Sequence, residues 1–69
     1  MMTVEKITAA IEQKPIQAAY DIVRHLGGGW LPCEYERMIR ACAYQAIENK
    51  LGTAAMDTLM DEVSPGWRD

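Results

Sequence analysis

The chain has 69 residues, 49% of them hydrophobic and 25% charged, with a net charge of −3. That length allows one small domain, residues 1–69. The apolar share excludes a disordered chain, and no apolar run approaches the roughly 18 residues of a membrane-spanning helix. The opening MMTVEKITAAIEQK carries acids and no long apolar segment, so a secretory signal peptide is not expected and a cytoplasmic protein is.

Thr3 suits the N-cap of a first helix, with Val4, Ile7, Ala10 and Ile11 recurring on one face. EQKPIQ closes it, because the residue before a proline is pushed out of the helical region. Pro15 then opens a second helix, Pro15 to Leu26, whose stripe is Ile16, Ala19, Ile22, Val23 and Leu26. Gln17, Asp21, Arg24 and His25 face water on its other side, with Asp21 in reach of Arg24 or His25. Gly27 supplies the stop.

A third helix is predicted from Pro32 to Lys50, with Tyr35, Met38, Ile39, Cys42 and Ala46 as its apolar stripe and Glu36 paired with Arg40 outside. Gly52 and Thr53 read as a stop and a new N-cap. The fourth helix, Ala54 to Val63, would bury Ala55, Met56, Leu59, Met60 and Val63 before Ser64-Pro65-Gly66 ends it. One long helix bent at Gly52 is the competing reading. Nothing alternates with period two. The fold class is therefore all-α, a compact bundle of three to four short helices.

The glycine run in RHLGGGWLPCE invites a phosphate-binding reading, which fails on its context. A phosphate loop needs a strand before it and a Lys with Ser or Thr after its last glycine; here a helix precedes, and Trp30, Leu31 and Pro32 follow. The dinucleotide fingerprint fails too, since its spaced glycines open a helix after a strand. Cys33 and Cys42, nine positions apart, would lie about 13 Å apart on one helix. They cannot bridge within it and are expected as free thiols. His25 with these two thiols does not supply the four ligands of a structural zinc site. A His25–Cys33 nucleophile pair is conceivable across the loop, but a helix-end histidine and a half-buried thiol explain both residues more simply. No catalytic residue, cofactor or metal is expected, and the chain is not read as an enzyme.

Charge is distributed unevenly. Up to Met56 six acids meet six bases, and the excess lies wholly in the last thirteen residues, where Asp57, Asp61, Glu62 and Asp69 face Arg68 alone. Asp61 and Glu62 sit where the helix dipole disfavours negative charge, and Asp57 and Asp61 form a like-charge pair one turn apart. Such a local conflict marks Asp57, Asp61 and Glu62 as candidate contacts for a basic partner. Trp30 and Trp67, each just outside a helix, are candidates for the same surface, against the alternative that they cap the ends of the core. The pI near 5.0 and the absence of a basic stripe argue against direct binding of nucleic acid.

From Glu34 to Trp67, EYERMIRA enters a long helix and MDTLMDEVSPGW ends on a tryptophan just after a Val-Ser-Pro turn. This order of features is similar to that of the small Hha/YmoA nucleoid-regulator family. The resemblance implies an all-α protein that binds H-NS-type proteins and modulates transcription through them. In place of that family's Asp-His-Arg stretch the chain has Ala43, Tyr44 and Gln45. From the residues themselves we expect a small, non-enzymatic helical protein acting through protein–protein binding, a regulator or inhibitor of bacterial or phage type. A self-associating module that completes its bundle as a homodimer is the alternative.

Overall fold

A computed structural model describes residues 3–67, so Arg68 and Asp69, counted above in the terminal charge excess, lie outside it. It contains four helices: α1 (Val4–Glu12), α2 (Ile16–Leu26), α3 (Glu34–Leu51) and α4 (Thr53–Val63). Among the described residues there is no strand, and no helix is long and apolar enough to cross a membrane.

Local chemistry sets most of the boundaries. Thr3 caps α1, its Oγ1 accepting the Lys6 N–H at 3.2 Å. Pro15 stands just outside α2 as its N-cap, so the helix begins one residue later than expected. Likewise α3 begins at Glu34 with Cys33 as N-cap, two residues past the predicted start at Pro32. Gly27 (φ 75°, ψ −178°) and Gly52 (φ 95°, ψ 169°) end α2 and α3 in a backbone region that only glycine enters without strain. Gly52 therefore separates α3 from α4, and the single bent helix is excluded. Thr53 is the first residue of α4 and not its cap; its hydroxyl donates to Glu48 Oε2.

The long helix α3 packs against each of the other three. Four contacts set the directions. Cys42 Sγ donates to the Val4 carbonyl and Asn49 to Glu12, so α1 runs alongside the C-terminal half of α3 in the same sense. Lys50 Nζ donates to the Lys14 carbonyl just ahead of α2, whereas Arg40 reaches Gly27 just after it. Hence α2 runs back along α3. The closed core is Ile7 and Ile11, Ala19 and Val23, Leu59, and the α3 set Cys42, Ala43, Ala46 and Ile47.

This core departs from the predicted stripes in ways that follow from α3's position. A helix with neighbours on three sides buries a broad face, so Ala43 and Ile47 join it although they lie off the expected seam. Tyr35, by contrast, lies beyond the reach of α1 and is 60% exposed. On α1 the third buried residue is Thr8, not Ala10, and the Thr8 hydroxyl has no hydrogen-bond partner among the described residues. Of the expected α4 residues only Leu59 is fully buried; Ala55, Met56, Met60 and Val63 are half-buried.

The loop between α2 and α3 is held against the end of α4. A Cβ built on Gly28 would stand 2.5 Å from both Ser64 Cβ and the Val63 carbonyl oxygen, while one on Gly29 meets nothing within 4 Å. Gly28→Ala should therefore cost about 1–3 kcal/mol through overpacking. Gly29→Ala, two or three bonds away, should change stability by no more than about 0.5 kcal/mol. Chemical denaturation of the two variants checks this, and equal destabilisation would contradict the packing described.

Candidate functional site

The loop from Gly27 to Cys33 is built around two arginines of α3. Arg40 lies on the face of α3 turned toward the end of α2, and its Nη1 donates to the carbonyls of Gly27 at 2.6 Å and Gly29 at 2.7 Å. One turn earlier, Arg37 Nη1 donates to the Leu31 carbonyl. Its guanidinium also stands 5.9 Å from the centre of the Trp30 ring, within cation–π range. Charged donors make hydrogen bonds stronger than neutral ones, so the loop is held at three carbonyls along its length. The expected Glu36–Arg40 pair does not form, because Arg40 is used here instead. A phosphate-binding loop turns its N–H groups on a ligand; this one turns carbonyls on a guanidinium.

Trp30 stands at the outer edge of that loop and is 79% exposed. Of the two sequence readings for it, a lid on the core is thereby excluded. Trp67 behaves differently: it is half-buried, and its indole N–H donates to Asp61 Oδ1 at 2.7 Å. The acidic residues of α4 are likewise engaged, and they do not form one patch. Glu62 faces α2 and takes a bidentate ion pair from Arg24, at 2.8 Å from Nε and 3.2 Å from Nη2. Arg24 in turn lies 5.3 Å from the ring centre of Tyr20. The dipole conflict read from the sequence is therefore compensated by a base from another helix and by an indole, and Asp57 also has a partner. Asp21 accepts from Gln17 and does not pair with His25.

The sequence reading missed a groove beside the loop. The C-terminal half of α2 and the N-terminal half of α3, where α1 no longer covers them, enclose a hollow of about 220 Å3 lined by Ile22, His25, Leu26, Tyr35, Glu36 and Ile39. Its wall exposes only apolar atoms, so His25 and Glu36 contribute carbon surface and keep their polar ends at the rim. The hollow is smaller than the roughly 300–1,000 Å3 of small-molecule sites. A second depression, about 440 Å3 but bounded only by Glu34, Tyr35 and Met38, lies on the other side of Tyr35. The signal available in the sequence was the i, i+4 apolar pairs Ile22/Leu26 and Tyr35/Ile39; nothing local said that α1 would stop short of them.

Cys33 is exposed at the start of α3 and Cys42 is buried against α1, both as free thiols. No group of three His, Cys, Asp or Glu side chains among the described residues is placed to hold a metal ion. The chain matches no family model, no curated protein and no solved structure. The similarity to the Hha/YmoA family over residues 34–67 thus rests on the order of sequence features alone.

Two predictions follow from these contacts. Arg40→Met keeps the aliphatic stem but removes both loop bonds; it should cost about 1.5–3 kcal/mol and speed hydrogen exchange in residues 28–31, leaving the helix content intact. The hydrogen bond from Arg24 holds the Glu62 carboxyl below its ordinary value of 4.5. A lowered folded-state value makes the contribution complete above the ordinary value and lost as pH falls through the lowered one. Glu62→Gln should therefore reduce the Tm slightly at about pH 7, and the difference should shrink as pH falls through the lowered value and the parent carboxylate becomes protonated.

Proposed function

We propose that this is a non-enzymatic helical protein that acts by binding another protein through the edge formed by Trp30 and the neighbouring start of α3. The observation that carries this is the exposure of Trp30, at 79%, on a loop whose backbone is tied to Arg37 and Arg40. An exposed indole holds apolar surface in water, and burying that surface against a partner is favourable. Held by its own loop, it loses little further freedom on contact, which is the property of a binding anchor. The Arg37 guanidinium, 5.9 Å from the ring centre, adds a cation–π contact to this exposed position.

A regulator or inhibitor of bacterial or phage type fits a chain of this size that offers a contact edge. The shallow hollows give little enclosure for a substrate. Its two unbridged cysteines support a reducing, cytoplasmic setting. Direct nucleic-acid binding is disfavoured further by the use of Arg24, Arg37 and Arg40 in internal contacts.

Two measurements test the reading. Trp30→Ala should fold with nearly unchanged stability, within about 0.5 kcal/mol, because the side chain is solvent-facing. A photo-crosslinking amino acid placed at position 30 in the producing cell should give a covalent adduct with a different protein. Adducts only with a second copy of the chain would replace the proposal with self-association, and adducts only with nucleic acid would overturn it. An absence of any adduct while the folded protein accumulates would also count against it.

A further inference from the structure

Tyr35 forms an exposed ridge with an apolar hollow on each side, and each hollow carries one glutamate at its edge: Glu36 on the α2 side and Glu34 on the Met38 side. By formal count residues 34–40 are neutral, since Arg37 and Arg40 balance the two acids. The structure separates those charges. Arg37 and Arg40 direct their donors to the carbonyls of Leu31, Gly27 and Gly29 and pair with neither glutamate. Among the described residues neither glutamate has an ion pair or hydrogen bond, and Arg24, which with His25 makes up the bases of α2, is committed to Glu62. The groove is therefore apolar within and carries at its edge two carboxylates that no base of the described residues pairs.

Resting on the protein-binding reading above, we infer that this groove seats the apolar face of a short amphipathic helix from the partner, flanked by lysine or arginine. The wall runs from Ile22 to Leu26 on one side and from Tyr35 to Ile39 on the other, a span of about 6 Å at 1.5 Å per residue. That length matches two apolar side chains one turn apart, the spacing by which a helix enters a groove. Basic residues beside them meet Glu34 and Glu36, which supplies orientation and steering. A second copy of this chain fits less well. A two-fold contact through this face would bring both copies' Glu34 and Glu36 into one interface, where Arg24, Arg37 and Arg40, the arginines among the described residues, already hold internal partners.

Three labelled peptides of about 15 residues test this by fluorescence anisotropy on the intact protein. One carries leucines at i, i+3, i+4 and i+7 with flanking lysines; the second replaces those lysines with glutamates; the third has the lysine peptide's composition with the leucines spread around the helix. The lysine peptide should bind about tenfold more tightly than the glutamate peptide, with the spread peptide weaker still, and this preference should shrink as salt rises. Amide shifts should concentrate at Ile22, Leu26 and Ile39. Glu34→Lys combined with Glu36→Lys should invert the order of the first two peptides, and Tyr35→Ala, at an exposed position that the fold does not need, should weaken both. Equal affinity for the two charged peptides, no binding of the lysine peptide, or shifts away from the groove would overturn the inference. Should the groove fail while position 30 still crosslinks to a partner protein, only this inference is lost. Should those crosslinks be missing as well, the protein-binding reading goes with it.

Discussion

The burial of Cys42, Ala43, Ala46 and Ile47 in the middle of α3 is the constraint on which the other elements depend. In a chain this short no two helices supply a core by themselves, and the apolar faces of α1, α2 and α4 all close on that one segment. Two of its four residues are alanines, which let neighbouring helices approach closely on more than one side. Because α1 runs alongside the C-terminal half of α3, closure is complete there and incomplete at the other end. The groove is the consequence of that offset.

The same offset explains why the open end carries the candidate function. Lacking cover from α1, the first two turns of α3 have side chains to spare for other partners. Arg37 and Arg40 use theirs to tie down the α2–α3 loop, and Gly28 lets that loop settle against Val63 and Ser64. The α2–α3 loop, the start of α3 that follows it and the end of α4 thus meet at one corner, with Trp30 exposed on the loop. Stability there comes from charge-assisted bonds to carbonyls and close backbone contact, which leaves the large aromatic side chains of Trp30 and Tyr35 outside.

Compensation across helices also alters how the charges are understood. Read along α4 alone, Asp57, Asp61 and Glu62 are acids in unfavourable positions without a base nearby. In the folded chain Glu62 meets Arg24 from α2, and Asp61 accepts the Trp67 indole. Meanwhile Glu34 and Glu36, which a sequence reading balances against Arg37 and Arg40, lose those partners to the loop. Among the described residues the carboxylates without an ion pair or hydrogen bond thus include those at the start of α3, while Glu62 and Asp61 of α4 are engaged.

By itself the sequence determined the all-α class and placed the helix limits to within one or two residues, while leaving open whether α3 and α4 are one bent helix. Those features rest on interactions within a few residues: the Thr3 cap, the proline after α1, and Gly27 and Gly52 in conformations other residues avoid. The apolar repeats likewise identified Ile7, Ile11, Ala19, Val23, Cys42, Ala46 and Leu59 as core. Tertiary structure alone decided that Ala43 and Ile47 are buried and Tyr35 is not, that Arg40 serves a loop and not Glu36, and that Trp30 is exposed while Trp67 is half-buried. Each of those outcomes depends on where a separate helix begins, ends or turns, and helical periodicity fixes only which residues share a face, not what that face meets.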